Sequence, residues 1–365
     1  MADFRNSRLS ALRKAMEKAG MDAFLVTNLN NVSYLTGFTG SNGYVLATAD
    51  KAVFITDSRY ETQSKDEVKG YDTFIQKGKL TEELSSVARD LGVKKIGFES
   101  RSVSFDTHHA LEKALSGIGL MPARDMVEKL RVIKDEVEVA RISEAVRRAE
   151  EGFRRNGSNI AAGKTEMEAA IGLEFGIRGL GAKKMPFDVI VASGPRAAMP
   201  HGIASGREMR DGETLIIDFG GEADGYQSDI TRSGVIGRAD GKQSEIYDIV
   251  LEAQRRAALA VRPGVPCREV DEAARGYIKS KGYGDNFGHG LGHGVGLEVH
   301  EAPSVSYLSE DTVLEGMVFT IEPGIYIPGW GGFRTEDMFL VTKDGCRVLT
   351  SLPKGINFNS EVSHK

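Results

Sequence analysis

The sequence predicts an α+β fold in two domains, and three observations lead to that expectation. The chain has 365 residues, and at roughly 150 residues per domain this length corresponds to about two domains. The first 125 residues alternate helical and strand patterns, which is typical of an α/β domain. Of the 43 glycines, 33 lie after residue 150, so the C-terminal part must contain many tight backbone positions. We therefore expect an N-terminal α/β domain over residues 1–125, a second domain over 126–357 and a polar tail over 358–365.

The N-terminal domain is expected to alternate amphipathic helices with short buried strands. Gly20 supplies a C-terminal stop for the first helix. The predicted helices are Leu9–Lys18, Thr81–Leu91 and Phe105–Leu115, and the predicted strands are Ala23–Thr27, Tyr44–Ala47, Ala52–Thr56 and Lys95–Phe98. This alternation indicates a domain with a core of its own.

The second domain is expected to combine long helices with strand pairs. The charged segment Val127–Arg155 has helical periodicity, and its charge clusters are typical of a solvated helix face. Thr165 and Glu168 form a capping-box pattern that begins another helix. Further predictions are a strand at Phe187–Ala192, a strand pair over 213–236, helices near 243–261 and 267–281, a glycine-rich run over 288–296, and strands near 317–327 and 334–350.

The composition disfavours several classes of protein. Lysine and arginine minus aspartate and glutamate is 47 − 52 = −5, whereas a nucleic-acid-binding chain would be basic. No apolar run approaches the roughly 18–20 residues of a membrane helix, and the charged N-terminus is unlike a secretory signal. The two cysteines, Cys267 and Cys346, have neither metal-ligand nor disulfide spacing. We therefore expect a cytoplasmic protein with no nucleic-acid or membrane partner.

Two aspartates, Asp218 and Asp229, are the first candidates for chemistry. Asp218 ends an apolar strand, where an unpaired carboxylate is costly to bury. A turn signal at Ala223-Asp-Gly225 lies midway between the two, so a hairpin would place both carboxylates opposite each other on one sheet face. Two like charges at that distance require a cation between them. The alternative is that one aspartate is a turn residue and the other is paired with Arg232.

The run Gly288–Gly296 has glycine at every second position and carries His289 and His293 four residues apart. That spacing occurs in helical zinc motifs, but each glycine disfavours a helix by about 1 kcal/mol. We therefore expect an extended segment in which the two rings need not bind the same ion. His201 and His300 lie in the same glycine-rich part of the chain. Any one of these histidines alone is more simply explained as a core residue.

Two glutamates complete the candidate set. Glu322 interrupts an apolar strand and Glu336 enters the last hairpin, although either alone is also explained as a surface acid paired with arginine. Four carboxylates and one imidazole suit Mn²⁺, Co²⁺ or Fe²⁺ and also accept Zn²⁺. Four negative charges balance two divalent ions, and such a pair lowers the pKa of a bridging water to about 7. The resulting hydroxide can attack a carbonyl, so these residues point to hydrolysis of an amide.

The segments around these candidates resemble a known family. The matching words are Ile-Asp-Phe-Gly, Ser-Asp-Ile-Thr-Arg, Gly-His-Gly-Leu-Gly-His-Gly-Val-Gly, Ile-Glu-Pro-Gly and Arg-Thr-Glu-Asp. In this order they are similar to the pita-bread, M24-type metallopeptidases, which include methionine aminopeptidase, aminopeptidase P and prolidase, and the resemblance covers about residues 130–355. The first 125 residues, with Ser33-Tyr-Leu-Thr-Gly-Phe-Thr-Gly40 and Thr56-Asp-Ser-Arg-Tyr60, resemble the N-terminal domain of the creatinase, aminopeptidase P and prolidase branch. The resemblance implies a creatinase-like domain followed by a pita-bread catalytic domain.

The resemblance also implies a set of metal ligands. Asp218 would bind one ion, while Asp229 and Glu336 would bridge both. His293 and Glu322 would complete the shell of the other ion, and Glu322 would also move the proton of the attacking water.

Further residues match positions around the ligands. The resemblance implies that His201, His289 and His300 orient the substrate and stabilise the oxyanion. Tyr226 and Arg334 match positions behind the ligands, where they would fix the geometry of the acids.

The branch resemblance implies hydrolysis of the Xaa-Pro bond in proline-containing peptides. We expect the aminopeptidase P type, which removes the residue before proline, with two divalent ions, Mn²⁺ first and Co²⁺, Zn²⁺ or Fe²⁺ as alternatives. The alternative activity is that of a prolidase, which accepts dipeptides and must bind their free carboxylate through a basic residue such as Arg59 or His300. Chains of this family are commonly homodimers. A non-catalytic scaffold and a metal-free creatinase activity are further alternatives, which the complete ligand set disfavours.

Overall fold

The computed structural model describes residues 4–358, and the chain divides into two compact units between Arg131 and Val132. The sequence predicted this division at residue 125. The first unit extends further because Arg131 Nη1 donates to Asn31 Oδ1 at 2.7 Å, which ties the additional residues to that unit. Of the predicted tail, residues 359–365 lie outside the described residues, while Phe358 is buried.

The first unit is built around one six-stranded sheet in the order β4-β3-β2-β1-β5-β6. Its helices are α1 (Phe4–Lys18), α2 (Leu29–Thr36), α3 (Glu61–Glu67), α4 (Leu80–Asp90), α5 (Phe105–Ala114) and α6 (Glu128–Arg131). Its strands are β1 (Ala23–Val26), β2 (Tyr44–Thr48), β3 (Ala52–Asp57), β4 (Asp72–Gln76), β5 (Lys95–Glu99) and β6 (Gly119–Ala123). The four strands that the sequence predicted are present. The two that it missed, β4 and β6, lie at the sheet edges and are largely exposed, so they lack the apolar run on which the prediction depended.

The helices of the second unit are α7 (Glu136–Asn156), α8 (Glu166–Gly179), α9 (Gly241–Ala260) and α10 (Cys267–Ser280). The helical periodicity of Val127–Arg155 corresponds to two helices, α6 and α7, with a non-helical stretch between them. There the backbone N–H of Lys134 donates to Gly316 O at 2.8 Å, and Asp135 then starts α7 with a capping box.

The strands of the second unit form two main sheets and two short hairpins. They are β7 (Ile190–Ser193), β8 (Thr214–Phe219), β9 (Glu222–Ala223), β10 (Tyr226–Gln227), β11 (Ile230–Val235), β12 (Gly292–Gly294), β13 (Glu301–Val305), β14 (Val318–Ile321), β15 (Gly324–Ile327), β16 (Gly331–Arg334), β17 (Asp337–Thr342) and β18 (Gly345–Val348). One sheet has the order β11-β8-β7 and the other the order β13-β12-β14-β17-β18, while β9 pairs with β10 and β15 with β16. The apolar faces of α9 and α10 pack with Phe319, Ile321 and Phe339 of the larger sheet in one core. The candidate residues therefore lie on, or next to, strands that a large core holds in place.

No helix within residues 4–358 is both long and apolar enough to span a membrane.

Candidate metal centre

A cavity of about 590 Å³ in the second unit collects nearly all of the candidate residues. Those that line it are His201, Asp218, Asp229, His289, His293, His300, Glu322, Arg334 and Glu336. These residues are up to 135 positions apart in the sequence, and strands of both main sheets bring them together.

The sequence predicted that the two aspartates lie directly opposite each other on one sheet face. They do share a sheet face, but they are not directly opposite each other. The hairpin turn is the two residues Asp224 and Gly225, both at positive φ (49° and 87°), so Ala223 pairs with Tyr226. The same register pairs Asp218 with Thr231. Asp229 lies two residues before Thr231, so alternation along the strand puts it on the same face, diagonally across from Asp218.

Arg334 is the cation paired with one of the two aspartates, Asp218. Its Nη2 donates to Asp218 Oδ2 at 2.7 Å, and its Nε donates to Thr231 Oγ1 at 3.0 Å. Thr231 Oγ1 in turn donates to Glu336 Oε2 at 2.7 Å. The alternative partner considered from the sequence, Arg232, is paired instead with Asp337 at 2.8 Å.

His293 faces the carboxylates with its Nε2. Its Nδ1 lies 3.1 Å from Gly294 O, and this contact requires a proton on Nδ1, so Nε2 is the nitrogen that would bind a metal ion once its own proton is displaced. Nε2 lies 3.3 Å from Glu322 Oε1 and 3.5 Å from Asp229 Oδ2. Ligand atoms of Asp229, His293 and Glu336 all lie within 4.8 Å of one another. This spacing matches a group of side chains around a common ion.

The centre concentrates negative charge in a buried place. Burial raises the pKa of Asp218, and burial together with neighbouring carboxylates raises the pKa values of Asp229 and Glu336 well above their usual range. Burial also opposes ionisation of Glu322, but the hydrogen bond and charge of His293 outweigh it and lower the pKa of Glu322 to about 2. The same contact raises the pKa of His293 against the effect of burial.

The donor set fits divalent ions. Three buried carboxylate oxygens of this centre accept no hydrogen bond: Asp218 Oδ1, Asp229 Oδ1 and Glu336 Oε1. A buried anionic oxygen without a partner is costly, and a divalent cation would satisfy all three. Carboxylates and imidazole suit Mn²⁺, Co²⁺, Fe²⁺ or Zn²⁺, and neither cysteine lines the cavity. The residues present therefore fit the two-ion site that the sequence suggested.

The other three histidines border the cavity beside the carboxylates. The His300 ring lies 4.2 Å from the ring of His293, centroid to centroid. His289 Nε2 lies 2.9 Å from Tyr326 Oη, so His289 turns away from the ligand group that contains His293. Burial lowers the pKa values of both His289 and His300. His201 is exposed at the edge of the cavity.

Tyr226 lies in a different environment from the one the sequence suggested, and Tyr326 was missed. The Tyr226 hydroxyl is 3.0 Å from Glu138 Oε1, on α7. Tyr326 Oη, by contrast, lies 3.0 Å from Arg334 Nη1 as well as close to His289, and burial raises its pKa to about 12. In the sequence Tyr326 stands four residues after Glu322, and that separation alone does not predict its contacts with Arg334 and His289.

Comparison with known proteins adds to this geometry. The profile of metallopeptidase family M24 matches residues 140–343, and that of the creatinase/prolidase N-terminal domain matches residues 8–133. The chain is 39% identical over 350 residues to the Xaa-Pro dipeptidase of Pyrococcus horikoshii, and the aligned region covers 95% of this chain and 98% of that protein.

Two solved structures are similar over nearly the whole chain. The Xaa-Pro dipeptidase from Bacillus anthracis superposes with a TM-score of 0.94 at 41% identity, covering 97% of this chain and 99% of that one. The X-Pro aminopeptidase from Thermotoga maritima superposes with a TM-score of 0.88 at 39% identity, covering 94% and 99%. The predicted order of a creatinase-like domain and a pita-bread domain is confirmed. The chain is an enzyme of metallopeptidase family M24 that carries the creatinase/prolidase type of N-terminal domain.

Proposed function

We propose that the enzyme is an Xaa-Pro dipeptidase, a prolidase that hydrolyses the bond before the proline of a dipeptide. The observation that carries the proposal is a buried group of four carboxylates and one histidine that lines a cavity of about 590 Å³. It occurs in a chain that is 39–41% identical, end to end, to proteins described as Xaa-Pro dipeptidases. This activity is the alternative expected from the sequence, and the comparisons favour it over the aminopeptidase P type.

The metal ligands of this proposal are the five residues of the cluster. Asp218 would bind one ion and Asp229 and Glu336 both ions, with His293 and Glu322 on the second. The oxygens of Asp218, Asp229 and Glu336 that lack hydrogen bonds support metal binding by these three residues. When bound, the two ions supply Lewis-acid polarisation of the scissile carbonyl and make water acidic enough to react at neutral pH. Mn²⁺ is the ion we expect, since a carboxylate-rich site without thiolate suits it.

The chain's own residues supply proton transfer and orientation. Glu322, ionised beside His293, would take a proton from the attacking water and return it to the proline nitrogen that leaves. His300, whose pKa is lowered by partial burial, would donate a hydrogen bond to the oxygen on which charge develops. His289, whose ring nitrogens contact Gly290 O and Tyr326 Oη, would orient the peptide. Arg334 holds Asp218, and Tyr326 holds His289.

A dipeptide also presents a free carboxylate, and the cavity offers few groups to bind it. Arg334 lines the cavity, but it already donates to Asp218, Thr231 and the carbonyl oxygen of Pro200. His201 and His300 remain at the edge of the cavity. Because the N–H of His300 is assigned to the oxyanion, we propose His201, which is exposed, as the donor to the substrate carboxylate.

Rates on an Xaa-Pro dipeptide, its C-terminal amide and an Xaa-Pro-Xaa tripeptide test the proposal. A prolidase should cleave the free dipeptide at least about tenfold faster than the amide or the tripeptide, since neither of these has a free carboxylate on the proline. Activity should disappear with a chelator and return with Mn²⁺ or Co²⁺. Equal or faster cleavage of the tripeptide would contradict the dipeptidase assignment, and activity that survives chelation would contradict the metal assignment.

The second candidate is an aminopeptidase P activity. The similarity to the X-Pro aminopeptidase from Thermotoga maritima supports it, as does the exposure of Ile203, Tyr307 and Leu308, which line the cavity beside solvent. The tripeptide arm of the same experiment distinguishes the two activities. A homodimer and a cytoplasmic location stay predictions from the sequence.

A further inference from the structure

Gln254 connects the two backbone segments that carry Glu322 and Glu336. It lies on α9, is 2% exposed, and does not line the catalytic cavity. Its Nε2 donates to Ile321 O at 2.9 Å and to Thr335 O at 3.2 Å. These two carbonyls belong to the residues immediately before Glu322 and Glu336.

The contact occurs where the regular pairing of the two strands ends. In the ladder of β14 with β17 the last pair is Ile321 with Asp337. Glu322 and Glu336 lie just beyond this pair, outside the ladder. The N–H of Glu322 donates to Leu291 O at 2.8 Å, and that of Glu336 donates to Thr231 O at 3.1 Å. The peptide group that precedes each glutamate is thus held on both sides. The two N–H groups donate to different segments of the chain, whereas both C=O groups accept from Gln254.

The other end of the Gln254 amide is also fixed. Its Oε1 accepts from Lys354 Nζ at 2.6 Å, which sets the direction of the NH₂ group. Lys354 also pairs with Asp337, directly after Glu336. The amide therefore cannot rotate without losing hydrogen bonds at three places.

We propose that Gln254 is a positioning residue that sets the separation and direction of Glu322 and Glu336 for metal binding. Metal sites tolerate errors of only about 0.5 Å in their ligands, and one amide that holds both backbones is a direct way to achieve this. The inference rests on the proposed role of Glu322 and Glu336 as ligands. It extends that role to a residue outside the cavity.

The test is metal binding by Gln254→Met and Gln254→Glu, measured on the metal-free protein. Titration with Co²⁺, followed by visible absorption and by calorimetry, reports affinity and ligand geometry without any turnover. Gln254→Glu keeps the acceptor for Lys354, removes the amide donors and adds a negative charge beside Lys354. We expect both variants to bind at least one ion about 10- to 100-fold more weakly, with an altered Co²⁺ spectrum.

Gln243→Met is the matched control. Gln243 lies on the same helix, is 6% exposed, and donates through Nε2 to Gly212 O at 2.8 Å, so its loss costs a similar buried hydrogen bond. We expect a lower melting temperature with wild-type Co²⁺ binding.

Two results would overturn the proposal. One is a wild-type Co²⁺ titration and spectrum in either Gln254 variant, and in Gln254→Glu alone this would assign the effect to Lys354. The other is an equal loss of affinity in Gln243→Met. If Gln254→Met does not fold, Gln254→Glu and Gln254→Asn, whose shorter side chain cannot reach both carbonyls, decide on the same readouts. Failure of the proposed metal assignment is distinguishable, because the wild-type protein itself would then bind no pair of ions, and failure of the dipeptidase assignment would appear only in the tripeptide rates.

Discussion

The floor and the mouth of the catalytic cavity are built differently. The floor, formed by Asp218, Asp229 and Glu336, lies on or beside paired strands. Arg334 holds the side chain of Asp218, and Thr231 holds that of Glu336. The mouth, formed by His201, Ile203, Tyr307 and Leu308, lies in connecting segments, and Ile203, Tyr307 and Leu308 are 54–76% exposed. Metal geometry requires a rigid scaffold, whereas substrate preference is commonly set by loops. Changes at the floor should therefore affect metal binding, and changes at the mouth should affect substrate affinity.

The largest effect should come from the floor itself. Glu336→Gln removes a charge that the proposed site shares between two ions, so activity should fall by about 100-fold or more and one equivalent of metal should be lost. Turnover and metal analysis measure both. The control is Asp224→Asn, at an exposed turn position with φ of 49°, where asparagine is tolerated. Wild-type turnover with two bound ions in Glu336→Gln would exclude its role as a bridging ligand.

A glycine beside the floor should give the next largest effect. A Cβ on Gly292 would overlap the carbonyl oxygen of Thr320, so Gly292→Ala must push β12 from β14 and move His293. We expect a loss of about 1–3 kcal/mol in the free energy of unfolding and about tenfold weaker metal binding.

Gly288→Ala is the control for that substitution, since nothing lies within 4 Å of its Cβ position, and it should behave as wild type in denaturant and metal titrations. Equal losses in both glycine variants would show that the run needs glycine for chain flexibility and not for close packing.

These glycines show how far the sequence could predict the site. The ligand types, their order and the glycine surplus were visible because each breaks a local pattern: an acid in an apolar strand, or glycine at alternate positions. Contacts made through the fold were not visible. The choice of Arg334 over Arg232 for Asp218, and the contact of Tyr326 with His289, depend on strand register and on the β15–β16 hairpin. The diagonal placement of Asp229 likewise followed from a two-residue shift that the turn signal alone did not set.

At the mouth, Glu166 should control substrate affinity. This fully buried carboxylate accepts from the backbone N–H groups of Ser193, at 2.8 Å, and Ser205, at 3.1 Å. Glu166 thus ties together the two ends of the segment 193–205, which carries His201. Glu166→Gln should raise KM about tenfold with a smaller change in kcat, and metal binding should stay unchanged. Glu168→Gln, an exposed neighbour that keeps an acceptor for the helix cap, is the control. Weaker metal binding with an unchanged KM would remove the distinction between mouth and floor.

The smallest effect is a pH dependence that belongs to the floor alone. In the metal-free protein the pKa of Glu336 is raised well above its usual value, by burial first and by Glu322 and Asp218 next. The folded state therefore holds a proton that the unfolded state releases above about pH 4. The stability contributed by this group is complete below that pH and is lost as the pH rises through the folded-state pKa. Replacing the carboxyl with an amide removes the loss, so the melting temperature of metal-free Glu336→Gln should exceed that of wild type by a margin that grows from about pH 5 to about pH 8. Comparing the two proteins cancels the titrating groups that do not interact with Glu336. The pKa of Asp229, which Glu336 raises, falls in the variant, and this adds to the margin in the same direction. Divalent metal, which replaces the proton, should reverse the order and make the wild type the more stable of the two. A margin that shrinks with rising pH in the metal-free proteins would mean that Glu336 is ionised and stabilised there without any ion.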